Sequence, residues 1–200
     1  MKILFRAGFA VLLSAACLAC SNSGESKGDA YFSQGEYSQA VNEYSETLKF
    51  SPNDVTTLYN RGRAHEEQGE YDSALIDFEK AAQIDPNNFQ VLLSISNIHY
   101  SQKNYSKALI YSSKAEEISG APAMASFMKG RALHQLGHTD DAMKSYNNAI
   151  KLDKNFGQAY FNRGMLKVAT KKKKSACEDF QLAKGLEYPG AEDALNKYCK

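Results

Sequence analysis

The sequence predicts an all-α protein in which helical hairpins stack into a solenoid. Alanine recurs every 34 residues without an insertion, at Ala40, Ala74, Ala108, Ala142 and Ala176. A glycine or serine lies twelve residues before each of these alanines, and an aromatic residue lies four residues after four of the five. A fixed period of this length, with small residues where two helix backbones can approach closely, is typical of arrays of helix pairs.

Each 34-residue unit contains two stretches with the apolar periodicity of amphipathic helices. Gly35, Gly69 and Gly137 lie between the two stretches, where the turn often requires a positive φ. Pro52 and Pro86 follow the second stretch of their units. They are expected to end the second helix, because the residue before a proline disfavours the helical conformation. One hairpin cannot bury its apolar face alone, so we expect neighbouring hairpins to stack on each other.

The unit at residues 55–88 resembles the tetratricopeptide repeat (TPR) family almost position by position, in the run LYNRGRAHEEQGEYDSALIDFEKAAQIDPNN. The resemblance implies a right-handed superhelix of five repeats, whose positions we number from the first residue of each repeat. The repeats are 21–54, 55–88, 89–122, 123–156 and 157–190. Ser112 replaces the family's aromatic residue, and Lys171 replaces its glycine between the helices. Residues 191–200 are predicted to form a capping helix over the last repeat.

Residues 1–20 have the pattern of a signal peptide, with basic residues before a short apolar run. The end of this run resembles the lipidation site of bacterial lipoproteins. Either Cys17, which follows Ala15-Ala16, or Cys20, which precedes a polar tether, is expected to carry the lipid. We therefore expect a protein of the bacterial cell envelope that is lipid-anchored to a membrane, with an outer-membrane anchor facing the periplasm favoured over an inner-membrane one. The alternative is an ordinary secretory signal in which the cysteines are incidental.

The composition is that of a folded globular protein, with 43% hydrophobic residues, 24% charged residues and a net charge of +1. No broad field of either sign is expected, which argues against nucleic acid as a partner. No catalytic or nucleotide-binding motif is present, so we expect neither an enzyme nor a small-molecule substrate or cofactor. His134 and His138 have a metal-binding spacing, but Gly137 interrupts the helix between them, so no metal site is expected.

Two further histidines and one lysine run are interpreted as structural features. His65 and His99 both occupy position eleven of their repeats, which favours packed or groove-edge side chains over ligands. The run Lys171–Lys174 lies between the two helices of the fifth repeat and is interpreted as a solvated loop. The alternative for this run is a contact with lipid head groups or with an acidic partner.

Arginine at position seven and aspartate at position 23 occur together or not at all, which predicts a salt bridge between the two helices of one repeat. The pairs are Arg61 with Asp77 and Arg163 with Asp179. Position 21 is apolar in the other repeats and should face the next helix along the chain. In the fifth repeat this position is Cys177, so we predict a disulfide with Cys199 of the cap in an oxidising compartment.

The TPR resemblance implies that the first helix of each repeat lines a concave groove. The residues predicted to bind a partner there are Tyr59, Asn60, Arg63, Leu93, Asn97, Tyr100, Phe127, Met128, Arg131, Phe161, Asn162 and Met165. The later repeats contribute more aromatic residues and methionines, so we expect the partner to bind in this apolar half. The alternative is that these side chains fill the interior of a short array. The basic residues with which some TPR domains clamp a C-terminal carboxylate are missing at the corresponding positions.

The sequence thus predicts an envelope-tethered scaffold that binds a protein or peptide in its groove. A narrower alternative is an accessory lipoprotein for outer-membrane, pilus or secretion assembly, because some such lipoproteins share this layout. A remote alternative is an envelope enzyme or a metal carrier, which would require a convergent polar site.

Overall fold

The computed structural model describes residues 26–200, which form eleven α-helices and no strand. Both candidate lipidation sites, Cys17 and Cys20, lie outside the described residues, as does the rest of the predicted signal peptide. The helices are α1 Lys27–Ser33, α2 Tyr37–Phe50, α3 Val55–Glu67, α4 Tyr71–Ile84, α5 Phe89–Ser101, α6 Tyr105–Glu117, α7 Ala123–Gln135, α8 Thr139–Leu152, α9 Gly157–Ala169, α10 Lys173–Gly185 and α11 Ala191–Tyr198.

The helices form five consecutive pairs, from α1–α2 to α9–α10, and each pair packs against the next pair along the chain. The eleventh helix packs on α10 and covers the end of the array. The all-helical solenoid predicted from the 34-residue period is confirmed. Because every pair contacts only its neighbours, the core is a row of connected apolar clusters rather than one central mass.

Close contact between the two helices of a pair depends on a small residue at position eight. A Cβ carbon on Gly62 would lie 2.7 Å from a ring atom of Phe78, and one on Gly164 would lie 2.6 Å from a ring atom of Phe180. The aromatic ring at position 24 therefore fills the space that the missing side chain leaves. The third repeat has serines at both positions, and Ser96 and Ser112 each donate a hydrogen bond to the same backbone carbonyl, that of Ala108.

The turn between the helices of a pair has the same left-handed conformation whether or not its residue is glycine. Gly69 has a φ of 76° and Gly137 one of 80° at position fifteen. Lys103 and Lys171 occupy this position in the third and fifth repeats and have φ values of 61° and 59°. The packing of the two helices therefore determines the turn, and the lysines accept a conformation that glycine adopts more easily.

The cap is joined covalently to the last repeat. Cys177 on α10 forms a disulfide with Cys199, which follows α11, and their Cα atoms are 5.7 Å apart. Ala194 of α11 is buried beside Phe180 in the last apolar cluster. A disulfide that closes a loop of about 20 residues stabilises a fold by about 3 kcal/mol in the chain-entropy model. The bond therefore holds a short helix that buries little apolar area of its own.

Each of the two Arg–Asp pairs forms a bidentate salt bridge, and each arginine also reaches the preceding repeat. The guanidinium of Arg61 donates to both carboxylate oxygens of Asp77, at 2.6 and 2.8 Å, and to Ser45 Oγ at 3.0 Å. Ser45 lies on α2, Arg61 on α3 and Asp77 on α4. One side chain therefore connects three helices of two repeats, whereas the sequence predicted a link within one repeat.

The fifth repeat has the same arrangement with an additional cation. Arg163 donates to both oxygens of Asp179, at 2.6 and 2.9 Å, and to Asn147 of the preceding repeat at 2.7 Å. Lys167 also lies 2.8 Å from Asp179, and this second salt bridge was not predicted from the sequence. The carboxylate of Asp179 is 2% exposed, so two cations balance one buried charge.

The fourth repeat lacks the Arg–Asp pair and uses a different link to its neighbour. Glu116 at the end of α6 accepts hydrogen bonds from Ser126 and Lys129 on α7, at 2.6 and 2.7 Å. Asn148 on α8 donates to the same carboxylate at 3.2 Å. Burial alone would raise the pKa of Glu116, but these hydrogen bonds and the charge of Lys129 together lower it. Glu116 thus has the role at this junction that the arginines have at two others.

The buried salt bridges should differ in their dependence on the arginine. Replacing Arg61 with alanine should lower the free energy of unfolding by about 3 kcal/mol, because Asp77 would remain as a buried charge without a cation. Arg163→Ala should cost less, because Lys167 still neutralises Asp179. The double variant Arg61→Ala/Asp77→Ala should be more stable than Arg61→Ala. Denaturant unfolding of the original chain, of Arg61→Ala, of Asp77→Ala and of the double variant measures the coupling, and zero coupling would contradict the role assigned to the pair.

Candidate peptide-binding groove

The first helices of successive repeats place position nine in a row along the array. The side chains at this position are Asp29, Arg63, Asn97, Arg131 and Met165. Asn97 is exposed and the other four are half-buried, in contrast to the buried position eight beside them. We call these five residues the groove row. Four of them were predicted from the sequence as partner-binding residues. The fifth, Asp29, was not predicted.

Each of three groove-row residues contacts position twelve of the preceding repeat. The guanidinium carbon of Arg63 lies 4.7 Å from the ring centroid of Phe32, and that of Arg131 lies 3.9 Å from the ring centroid of Tyr100. Between them, Asn97 donates a hydrogen bond of 3.1 Å to Glu66. A repeated contact of this kind connects the first helices into one continuous wall.

The two arginines of the groove row are held in place but keep their hydrogen-bonding capacity. Stacking of a guanidinium on an aromatic ring fixes its plane and leaves the N–H groups at the edge available. Among residues 26–200, neither Arg63 nor Arg131 forms a salt bridge or donates a hydrogen bond. Each can therefore donate to carbonyl or carboxylate oxygens of another molecule.

A small cavity marks the beginning of the groove. It has a volume of about 110 Å³ and is lined by Asp29, Phe32, Tyr44, Asn60 and Arg63. One carboxylate oxygen of Asp29 accepts hydrogen bonds from Tyr44 at 2.7 Å and from Asn60 at 3.0 Å. Burial alone would raise the pKa of Asp29, but the hydrogen bonds from Tyr44, Ser26 and Asn60 together lower it. The cavity therefore has a charged carboxylate on one side and a guanidinium on the other.

A second carboxylate of the wall has a different electrostatic environment. Burial raises the pKa of Glu66, and the neighbouring charge of Glu67 raises it further, although the hydrogen bond from Asn97 acts in the opposite direction. Glu66 lies between the two arginines of the groove row along the chain. Along the array, the wall of the groove thus has one stacked guanidinium, then a hydrogen-bonded carboxylate, then the second stacked guanidinium.

The prediction of an apolar half of the groove is wrong for two of its residues. Phe127 is 1% exposed and Met128 is 7% exposed, so both belong to the core. Phe127 packs against Phe156, with ring centroids 4.9 Å apart, and against Tyr146 at 6.0 Å. The alternative interpretation, in which these side chains fill the interior of the array, describes them better.

The reason for the error at Phe127 is the direction of position five. Tyr59, Phe127 and Phe161 all occupy it, and each packs on the position-24 ring of its own repeat. The ring centroids are 5.7 Å apart for Tyr59 and Phe78, 6.0 Å for Phe127 and Tyr146, and 5.7 Å for Phe161 and Phe180. Leu93, the equivalent residue of the third repeat, is also half-buried against the core. Position five therefore faces the second helix rather than the groove.

At the C-terminal end, the predicted groove residues are engaged with the cap and with their own helix. Phe161 lies 5.1 Å from the ring centroid of Tyr188 and packs, with Met165, against the last apolar cluster. Asn162 donates a hydrogen bond of 2.8 Å to the carbonyl of Gln158. The part of the groove with available polar groups is therefore formed by the first four repeats.

Within residues 26–200, no helix is long and apolar enough to cross a bilayer. The same part of the chain holds no cluster of three or more histidine, cysteine or acidic side chains that could bind a metal ion. His134 lies on α7, 3.5 Å from the hydroxyl of Tyr146, and His138 precedes α8. The residues of the run Lys171–Lys174 are all exposed.

A solenoid of helix pairs with a wall of first helices defines the class of helical-repeat scaffold proteins. The chain belongs to the tetratricopeptide repeat family. A model described as TPR repeat matches residues 28–69 and 130–168, and one described as tetratricopeptide repeat matches residues 55–88. Together they cover half of the 200 residues. No curated protein matches the chain in a sequence comparison.

Several solved structures have the same fold. MamA from Desulfovibrio magneticus RS-1 has a TM-score of 0.73 and 23% identity, over 80% of this chain and 90% of that one. YrrB, described as a TPR protein with an unusual peptide-binding site, has a TM-score of 0.70 and 21% identity, over 84% and 88%. The pilF protein of Pseudomonas aeruginosa has a TM-score of 0.73 and 19% identity, over 79% and 72%. At these identities the similarity shows the fold alone.

Stability should depend on pH through His99, which is 4% exposed on α5 and stacks on Tyr111. Burial lowers the pKa of His99, and the charge of Lys107 lowers it further. The unfolded chain therefore binds a proton more readily than the folded one. Stability should be complete above about pH 6.5, the ordinary histidine value, and should fall as the pH drops towards the lowered pKa.

Denaturant unfolding at pH 7.5 and 5.5 measures this effect. The variant His99→Phe keeps the stacked ring but cannot titrate, so its loss of stability on acidification should be smaller than that of the original chain. Ser106→Ala, at an exposed position of α6 that does not titrate, is the control and should leave the pH dependence unchanged. Equal acid sensitivity of His99→Phe and the original chain would contradict this assignment.

Proposed function

We propose that the protein is an envelope-tethered TPR scaffold whose groove row binds an extended segment of a partner protein or a peptide. The observation that carries this proposal is the pair of stacked guanidiniums of Arg63 and Arg131, which lie two repeats apart and have available N–H groups. TPR proteins are in general scaffolds rather than enzymes, which agrees with this assignment.

The chemistry of the groove indicates what kind of segment it binds. Two cationic donors can bind backbone carbonyls or acidic side chains of an extended peptide. Asn97, which lies between them, can hydrogen-bond a peptide backbone in either direction, because an amide both donates and accepts. We therefore propose a partner segment with acceptor groups at two sites. The peptide-binding site in the description of YrrB is that protein's own and supports only the general mode.

A site-specific cross-linker tests the groove. A photoreactive residue in place of Asn97, which is exposed in the groove, should capture a defined partner in cells. The same residue in place of Asn42, which is exposed on the second helix α2, is the matched control and should not capture it. Adding Arg63→Ala and Arg131→Ala to the Asn97 variant should reduce the captured amount at least about tenfold, because both cationic anchors are removed.

Two results would contradict binding in the groove. One is the same captured protein and the same yield from positions 42 and 97. The other is an undiminished yield without the two arginines, at unchanged helical content. The identity of the captured protein separates a general scaffold from an accessory factor of an assembly machinery, which would capture a component of that machinery.

The tether is the second part of the proposal and is supported by the sequence pattern of residues 1–20. We expect the mature chain to begin at Cys17 or Cys20 and to carry acyl chains there, which would give stable membrane attachment. Mass spectrometry of the N-terminal peptide measures this. An unmodified N-terminus beyond Cys20 would show that the protein is exported without an anchor, and would leave the groove proposal unaffected.

A further inference from the structure

The charges of this chain are separated along the array. The described part of the first two repeats, residues 26–88, has five lysines and arginines against twelve acidic residues, a net charge of −7. Residues 89–200 have seventeen against ten, a net charge of +7. The expectation of no broad field, drawn from the total of +1, is therefore wrong. Cationic groups of another molecule are attracted to the first two repeats.

At two junctions between repeats, a guanidinium of the chain itself connects consecutive second helices. Arg61 donates to Ser45 at position 25 of one repeat and to Asp77 at position 23 of the next. Arg163 contacts the same two positions at the junction of the fourth and fifth repeats. The junction of the second and third repeats has no such arginine, because Ile95 occupies position seven. A cavity of about 300 Å³ is present at this junction.

The cavity lies between α4 and α6, and α5 contributes one buried side chain to it. Its lining includes Glu79, Ala82, Pro86, Leu92, Tyr111 and Lys114. Glu79 and Tyr111 occupy positions 25 and 23, the two positions that contact the guanidinium at the other junctions. Among residues 26–200, the carboxylate of Glu79 forms no salt bridge. It is therefore available to a cation from outside the chain.

The aromatic ring of the cavity lies close to this carboxylate and already contacts a cation. Burial raises the pKa of Tyr111, and the neighbouring charge of Glu79 raises it further. The ammonium nitrogen of Lys114 lies 5.4 Å from the centroid of the Tyr111 ring. The cavity thus combines a carboxylate with an aromatic face, which are the two groups that bind a guanidinium most specifically.

The ammonium of Lys114 does not exclude a guanidinium, as the first junction shows. Lys80 occupies the same position 26 in the second repeat, where Arg61 is also present, and its ammonium donates to the carbonyl of Pro52. Pro86 is equivalent to Pro52 and lines the cavity, so its carbonyl can accept a hydrogen bond from Lys114. An ammonium and a guanidinium therefore fit together at one junction of this array.

We propose that this cavity binds an arginine side chain of a partner protein, which supplies the guanidinium that the chain itself lacks at this junction. Two parallel N–H groups donate to the carboxylate of Glu79, and the plane of the guanidinium stacks on the ring of Tyr111. The apolar stem of the arginine packs against Ala82, Pro86 and Leu92. A volume of about 300 Å³ is at the lower end of the range for ligand pockets, which suits one side chain.

This inference does not depend on the proposed function. The cavity lies between two second helices, whereas the groove row lies on the first helices. The arginines of the groove row donate to acceptor groups of a partner, and the cavity accepts from a cationic donor. Because the two sites bind groups of opposite character, one scaffold can bind two different segments at the same time.

A titration of the full chain followed by methyl NMR tests the cavity, in mild detergent if the chain carries lipid. The probe is Nα-acetyl-arginine amide, in which the guanidinium is the only charge. It should shift the methyl signals of Ala82 and Leu92 until they saturate. Nα-acetyl-citrulline amide has the same shape without the charge and should bind at least about tenfold more weakly. Free L-arginine should bind no more tightly than the amide.

Three variants make the test specific to the cavity. Glu79→Gln should raise the dissociation constant of the arginine amide at least about tenfold, because a charge-assisted hydrogen bond is lost. Ala82→Leu narrows the cavity without changing its charge and should also weaken binding. The matched control Asp72→Asn neutralises an exposed carboxylate on the same helix and should leave the constant unchanged. Circular dichroism verifies that every variant is folded.

The inference is overturned if the arginine amide causes no saturable shift of these methyl signals at any concentration measured. It is also overturned if the citrulline amide binds as tightly as the arginine amide, or if folded Glu79→Gln binds the arginine amide as tightly as the original chain. Tighter binding of free L-arginine than of the amide would identify a free amino acid as the ligand, and would overturn the assignment to a partner protein.

Discussion

A Cβ carbon on Gly62 would lie 2.7 Å from the ring of Phe78, so the two helices of that repeat can approach as they do only without a side chain there. This close approach directs the aromatic ring into the hairpin and turns position five towards it. The aromatic ring of each hairpin is thereby buried between its own two helices, and the apolar clusters continue into the neighbouring repeats. What remains uncovered is the outer side of position nine, which becomes the groove, and the outer side of position 22, which becomes the exterior of the second helices.

The junctions between repeats are less uniform than the hairpins. Arg61 and Arg163 each connect three helices, and Glu116 does so at a third junction with a carboxylate at the centre. At the junction of the second and third repeats, Ile95 and Tyr111 occupy the positions of the arginine and its aspartate. A cavity of about 300 Å³, lined in part by Glu79 and Tyr111, lies at this junction. Polar links are therefore one way of joining stacked repeats, and apolar packing is another.

The 34-residue period was sufficient to predict the number of repeats, the helices and the partners Arg61–Asp77, because these follow from residues that recur at fixed positions. The period could also have located Asp29, which shares position nine with Arg63 although its repeat is eroded at the start. The sequence could not predict the hydrogen bond from Arg61 to Ser45 or the links of Glu116. These contacts depend on how far one repeat is rotated against the next, which the period of a sequence does not contain.

Phe127 illustrates a limit of position-by-position reasoning. A large apolar residue on a first helix suggests a binding anchor, but the same residue type also fills the space beside the position-24 ring. The structure distinguishes the two cases by direction, since Phe127 is buried whereas the partly exposed Tyr100 supports Arg131. In a repeat protein each hairpin has few large apolar side chains. Most of them are buried where the helices stack, which leaves few for the groove. The groove row of the first four repeats therefore consists of side chains with a polar end, and we expect the specificity of the proposed binding to come from the rigid placement of these groups rather than from exposed apolar area.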